Sequence, residues 1–506
     1  MGDDREDFDN LAWDKNDEAW EESQKQLRHP STCRLAESLV EQKFGKRATL
    51  ISPLIIGGYN ILYRIRLEGV SPDVMVRLPC PNLVQFPEEK TLREATIARY
   101  IRQNTQVPVP RIFYYGQSSD VGPFIILQHV ENRWTLSHAL RTPSDDPDTP
   151  HVLDPNISET TLKTLYKKVA RCLLQLSQPS FPCIGSLVEA DNGSYSVAGR
   201  PITQNMNNMI QLANIPRAVL PLEDKTYKTA DEWYVALAEM HIAQLVFQHN
   251  DLVSTADDCR NKYVARQLCY KLAKQGRLST FGFAEDDWSA QSKTQPMNLS
   301  PTPAASGGFR LWCDDFRAGN ILLNEFNDIV AVIDWEFAYV GPTQFVLDPP
   351  WWLLLDVPEM WHSGIDNWTQ TYDTRLKTWL SAMKEAEEES NGSKSKNPMP
   401  FSSSLSTYMR ESWQTGRFWL NYAMRKSWAF DTIFWKYLDK RFFGERGTDD
   451  VSKHDLWKTR VHLLSEEERG AMELFVERKM EESKERILVD WDPKEAKERL
   501  AEVLFD

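Results

Sequence analysis

Asp315, Asn320 and Asp334 are the side chains in this sequence whose types and spacing best suit one chemistry, the transfer of a phosphoryl group. The stretch that holds them reads Trp312-Cys313-Asp314-Asp315-Phe316-Arg317-Ala318-Gly319-Asn320-Ile321-Leu322-Leu323, then a polar turn from Asn324 to Asp328, then Val330 to Ile333 and Asp334-Trp335-Glu336. Two apolar runs of similar length around a polar turn predict a β-hairpin. A hairpin joins its own ends, so the amide oxygen of Asn320 and the carboxylate of Asp334 should converge, with Asp315 in the loop just before. Mg²⁺ takes oxygen ligands, commonly one or two from protein and the rest from phosphates and water. A separate carboxylate must orient the acceptor hydroxyl and take its proton. Base and amide ligand stand five residues apart in one phosphoryl-transfer loop, as Asp315 and Asn320 do. Any one of the three alone would read as a turn or strand-end residue; the set of three around a hairpin is a candidate site.

The elements that position this stretch follow from periodicity. Tyr59, Ile61, Tyr63, Ile65 and Leu67 alternate with polar residues and read as a half-buried strand. Val74 to Leu78 reads as a second strand, Pro87 to Asn104 as a helix with Pro87 in its first turn, and Ile112 to Tyr115 and Pro123 to Val130 as two more strands. After Asn132 helices dominate, most clearly over Thr160–Ser177 and Asp231–Val246. Leu278 to Gly308, rich in Ser, Thr, Pro and Gly, is expected as a mobile loop, and Lys384 to Ser404 as a disordered one. Ser465 with Glu468, and Asp492 with Pro493 and Glu495, mark two helix starts. The expected fold is α+β in two lobes: residues 1–45 an acidic extension with some helix, 46–131 a sheet-rich lobe with one main helix, 132–480 a large helical lobe carrying the catalytic and metal loops over 311–350, and 481–506 a helical tail.

Composition narrows the function. The 506 residues are 41% hydrophobic and 26% charged, as a soluble globular protein requires. A net charge of -14 argues against nucleic acid as a partner, because phosphate backbones need a basic face. No apolar run approaches a bilayer span, no secretory leader is seen at the start, and Glu6 stands where an N-myristoylation pattern needs Ser or Thr. The seven cysteines include no CxxC pair, so neither a zinc site nor a disulfide framework is indicated, and a reducing, cytoplasmic setting is expected. No Walker A sequence occurs.

The segment around Asp315 resembles the catalytic and metal loops of the aminoglycoside phosphotransferase and choline kinase superfamily, whose pattern is His-Gly-Asp-Leu-His-Pro-Gly-Asn followed by Ile-Asp-Trp-Glu. Asp315, Gly319, Asn320, Ile333, Asp334, Trp335 and Glu336 match it. Gly57-Gly58-Tyr59-Asn60, Val107-Pro108-Val109-Pro110-Arg111, Gly122-Pro123-Phe124-Ile125 and Asp348-Pro349-Pro350-Trp351-Trp352-Leu353 resemble features of uncharacterised fungal members. The resemblance implies a kinase-like fold and an ATP-dependent phosphotransferase acting on a small-molecule hydroxyl, with Asp315 as base and Asn320 and Asp334 holding Mg²⁺. It implies that Gly57 and Gly58 form the turn over the phosphates, that Arg77 stands where kinases place a phosphate-binding Lys with Glu94 as its partner, and that the backbone of Gln128 to Val130 forms the adenine-binding hinge. The acceptor pocket is expected between about Leu153 and Lys274. Cys313, Asp314 and Arg317 depart from the pattern's His, Gly and second His, and Arg77 from its Lys. These departures keep open a nucleotide-binding pseudokinase or scaffold protein with little turnover. A metal-dependent hydrolase is disfavoured, because no His cluster or second carboxylate cluster accompanies the site.

Overall fold

The computed structural model describes residues 8–144, 146, 149–304, 307–392, 400–447 and 451–505. Two helices, α1 (Asn10–Arg28) and α2 (Pro30–Phe44), precede a five-stranded antiparallel sheet of β1 (Ala48–Ile56), β2 (Asn60–Leu67), β3 (Val74–Pro79), β4 (Ile112–Gly116) and β5 (Phe124–Gln128), in the order β1-β2-β3-β5-β4. The helix α3 (Pro87–Asn104) lies between β3 and β4 in the chain, with Pro87 in its first turn and Glu88 and Glu89 at its positive end. The remainder is mostly helical, and the protein is a two-lobed α+β fold.

The period-two reading of β2 holds: Ile61, Tyr63, Ile65 and Leu67 are all buried. The central strand β3 is buried at every position, so alternation sorts its side chains between two covered faces. Val74, Val76 and Leu78 pack with Leu27, Ala36, Leu39 and Val40 of α1 and α2. Arg77, one step out of phase, meets Glu94 of α3 on the other face. The expected helix in residues 1–45 is present over Asn10–Phe44 and roofs the sheet, while residues 1–7 lie outside the described residues. Tyr63 donates its hydroxyl to the Leu27 carbonyl at 2.5 Å, and the carboxylates of Glu41 and Glu37 accept from the Ala48 and Leu50 amides at 3.0 and 2.7 Å.

α1 also reaches the helical lobe. Asp9 caps its start and accepts from the Asn250 side chain at 2.9 Å, and the Asn10 amide donates to Asp251 at 2.9 Å. Gln211 donates to Asn16 at 2.6 Å, and Phe8 stacks on Trp428.

The described part of Leu278 to Gly308, which leaves out residues 305 and 306, is packed where a mobile loop was expected. Leu278, Phe281 and Phe283 are buried, and Asp286 accepts from the Gly282 and Ser289 amides and from the Ser289 hydroxyl. The Ser300 amide and hydroxyl both donate to Glu411 at 3.0 Å. Polar side chains here satisfy backbone groups of an irregular but packed segment, which composition alone reads as exposed loop. Lys384 onward, expected to be disordered, continues the helix Ile365–Gly392 with Ala386 and Glu387 buried; residues 393–399 lie outside the described residues. The Ser465 capping box and the Asp492 cap are both present. Among the described residues no helix is long and apolar enough to cross a membrane.

Candidate active site

The hairpin forms where its sequence places it. Strand Ile321–Leu323 pairs antiparallel with Ile329–Val332, with Ile321 opposite Val332, and the Ile333 amide donates to the Asn320 carbonyl at 2.9 Å. Asn320 and the residue just before Asp334 are therefore backbone partners. Beyond them the chain turns sharply: Asp334 and Phe337 both take φ near +60°, at 64° and 58°. That region is uncommon for side chains other than Gly and gathers at functional sites.

Asp315 and Asn320 are joined directly. The Asn320 Nδ2 group donates to Asp315 Oδ2 and to the Asp315 carbonyl, each at 2.9 Å. Arg317 Nε donates to the other carboxylate oxygen at 2.8 Å. Burial raises the Asp315 pKa, and Arg317 and Asn320 only partly offset it. A raised carboxylate tied by donors at both oxygens is oriented for proton transfer. Cys313, where the pattern has His, lies 3.9 Å and 3.7 Å from the carbonyls of Asp334 and Glu336, so the thiol faces the same turn from behind.

Arg77 and Glu94 meet as expected, with Nε 2.9 Å from Oε1, and both side chains are only 9% exposed. This excludes the surface pair that a strand Arg and a helix Glu more often form. Arg77 also reaches further than the sequence implied. Its Nη2 lies 2.5 Å from Asp334 Oδ1 and 3.3 Å from Glu336 Oε2. Glu336 in turn pairs with Lys90 of α3 and accepts from Asn60 Nδ2 at 2.8 Å, while Lys90 donates to Asn60 Oδ1 at 3.1 Å. Lys90, Asn60 and the partner role of Glu336 were missed in the sequence. The available signal was Lys90 standing four residues before Glu94, hence on the same helix face.

The electrostatics of this network favour a cation. Glu94, Asp334, Glu336 and Asp315 influence one another, against the cations Arg77 and Lys90. Burial, reinforced by Glu336, Glu94 and Asp315 and opposed by Arg77, pushes Asp334 up to about 8. Burial also leaves Glu94 raised, whereas Lys90 and Arg77 outweigh it at Glu336 and hold that group low. A carboxylate whose ionisation is resisted by its own neighbours gains from a divalent ion. Among the described residues no group of three or more His, Cys, Asp or Glu side chains could hold a metal ion by itself.

Gly57 and Gly58 form the β1–β2 turn, the Gly57 amide donating to the Asn60 carbonyl at 2.9 Å. Neither has positive φ, and a Cβ on Gly58 would meet nothing within 4 Å, so the pair supplies a bare turn and not a strained one. Tyr59 beside them donates to Asn208 at 2.8 Å and sets its ring edge-on to Phe337. Gln128 ends β5, its amide spent on the Arg111 carbonyl at 2.8 Å, and Val130 follows on the chain leading to the helical lobe.

No curated protein matches this chain. Among solved structures it is similar to a thermostable variant of aminoglycoside phosphotransferase APH(4)-Ia in ternary complex with ADP and hygromycin B, at 14% identity over 87% of this chain and 97% of that one, with a TM-score of 0.35. It is similar to macrolide 2'-phosphotransferase type I at 12% identity, 86% and 98% coverage and a TM-score of 0.38. A putative fructosamine-3-kinase from Haemophilus somnus 129PT shares 11% identity over 76% and 97%, with a TM-score of 0.34. The family profile described as "Phosphotransferase enzyme family" matches residues 63–346, a span that runs from β2 past the hairpin and takes in more than half of the sequence. The chain belongs to that phosphotransferase family.

Proposed function

We propose that the protein transfers the γ-phosphoryl group of ATP to a hydroxyl of a small molecule, with Asp315 as general base. The observation that carries this reading is the hydrogen-bonded Asp315–Asn320 pair in one loop, beside Asp334 at the end of the same hairpin. The acceptor oxygen would form a bond to the γ-phosphorus while the bond from that phosphorus to the bridging oxygen of ADP breaks, and the hydroxyl proton would pass to Asp315. Asn320 and Asp334 fit a Mg²⁺ ion, which when bound would neutralise charge on the phosphates. The turn at Gly57 and Gly58 would cover the phosphates, and the segment Gln128 to Val130 would hold the adenine. Arg77, fixed by Glu94, would offer its planar fork to phosphate oxygens.

The deciding experiment is ADP release with Mg-ATP across a panel of hydroxyl compounds, run in parallel on wild type and Asp315→Asn. Acceptor-dependent release by wild type and its loss in the variant is the expected result. A second reading has its own support, because Arg77 covers Asp334 Oδ1 and must leave it before a metal takes both carboxylate oxygens. Nucleotide binding with no release for any acceptor would favour a binding protein.

A further inference from the structure

Behind the catalytic loop lies a cavity of ≈70 Å³ whose walls include Trp312, Phe316, Trp335, Trp352, Leu176 and Met409. A small polar pocket formed by Gln204, Asp314, Tyr422 and Lys426 adjoins it, and the two share Trp351 and Arg425. Cys313 and Phe316, on either side of Asp314 and Asp315 in the chain, line the cavity, Asp314 lines the polar pocket, and Trp312, Phe316, Trp351 and Arg425 are half buried. Phe316, the residue after the proposed base, is part of its wall. The range Leu153 to Lys274 contributes only Leu173, Leu176 and Ser177 to the cavity, so most of it comes from later in the chain.

The polar groups at this opening are already engaged. Asp314 accepts from Trp312 Nε1 at 2.8 Å and from the Gln204 amide at 3.2 Å. Asp348, the one carboxylate in the cavity wall, accepts from Ser412 and from Asn421, the latter at 2.8 Å. Both carboxylates are thus held in place by protein donors. Arg425 lies 4.2 Å above the Trp312 ring and 4.8 Å from that of Phe345, and forms the partition between the polar pocket and the apolar one.

We infer that the acceptor is an alcohol carried on an apolar body, with its hydroxyl at Asp315 and its body in this cavity. This rests on the phosphotransferase reading above. The volume, roughly half of a dry cavity of about 150 Å³ that takes benzene, admits about three carbons as it stands, and a longer alkyl chain extends into the polar pocket by displacing the Arg425 partition. An aryl body needs Arg425 to lift from Trp312. The group transfer is the one already written: the alcohol oxygen gains the phosphorus, ADP leaves, and the proton goes to Asp315.

The test uses the full chain and n-alkanols from 1-butanol to 1-hexanol, with glycerol and kanamycin as polar comparisons. Binding is read without ATP from tryptophan fluorescence, since four tryptophans line the cavity. Turnover is read as ADP release with Mg-ATP. Affinity and kcat/KM should each rise roughly three- to fourfold per methylene. Asp315→Asn should keep the binding and lose the turnover. Leu176→Phe, which fills the cavity, should weaken hexanol binding at least tenfold. Should that variant misfold, the chain-length series on wild type decides alone. The inference is overturned if hexanol gives no saturable signal, if affinity does not grow with length, or if glycerol or kanamycin is phosphorylated as efficiently as hexanol. Saturable, length-dependent binding with no ADP release from any compound would uphold the apolar ligand and reject the phosphotransfer reading instead.

Discussion

Asp315 has a donor on each carboxylate oxygen, so exchanging it for Asn keeps the shape and one of these bonds, turns an NH2 group toward the other donor, and removes the basic group. Asp315→Asn should leave the ATP dissociation constant nearly unchanged and lower phosphoryl transfer by about 10²-fold or more, the range for losing a general base. Equal turnover in the variant would take the base role from Asp315. Asp334 carries a second expectation through its raised pKa of about 8. Below that pH the group holds a proton that a metal must displace, so Mg²⁺ affinity should fall by up to about tenfold per pH unit on acidification. With no metal the sign concerns stability: a carboxyl raised above its unfolded value favours the fold at low pH, and that contribution is lost as pH climbs from about 4 through about 8. Asp334→Ala should abolish both the Mg²⁺-dependent rise in Tm and its pH dependence. A Mg²⁺ shift that survives in the variant puts the metal elsewhere. The hairpin and its three polar residues were legible because the apolar–polar–apolar pattern is local. The grip of Arg77 on Asp334 was not, because nothing in a sequence records that residues this far apart share one buried volume.

At the scale of elements, β3 and α3 are bolted together by Arg77 and Glu94, and each is bolted to the turn after the hairpin, β3 by Arg77 to Asp334 and α3 by Lys90 to Glu336. Arg77→Ala leaves the buried Glu94 and Glu336 and the half-buried Asp334 short of a cation, and should cost about 3 to 5 kcal/mol of unfolding free energy in denaturant titrations. Arg77→Lys offers one ammonium where a fork reached several oxygens, and should fall between wild type and Ala. A cost under about 1 kcal/mol for the Ala variant would mean that the network is not formed in solution. The strands and α3 declared themselves through period-two alternation and an N-terminal proline, signals set by local geometry. Leu278 to Gly308 did not, because its order comes from Asp286, Ser300 and a distant Glu411, and composition cannot see such partners.

On the scale of the whole molecule, the placement of α1 is the largest departure from what the chain suggested. An acidic, Trp- and Glu-rich segment gave no sign that it spans both lobes. Its far end holds Pro81 and Tyr63 of the sheet-rich lobe through Ser23 and Leu27, and its near end holds Asn250 and Asp251 of the helical one. Asp9→Ala removes the helix cap and strips the Asn250 side chain of a buried acceptor, together worth roughly 2 to 4 kcal/mol. Hydrogen exchange should accelerate along residues 10–28 first, and equal protection in the variant would show that the cap does not anchor the helix.

A two-lobed protein that takes up a nucleotide, as proposed above, ordinarily opens about the one chain that joins its lobes, and in this fold that is the chain following β5. α1 adds a latch on a second line. With both engaged the lobes cannot part about one connection without breaking the α1 contacts, so on the phosphotransferase reading proposed above the release of Asn250 by Asp9 becomes a step in nucleotide exchange. ADP escape should then quicken several-fold in Asp9→Ala, as followed by stopped-flow fluorescence, and an unchanged rate would show that α1 holds nothing shut.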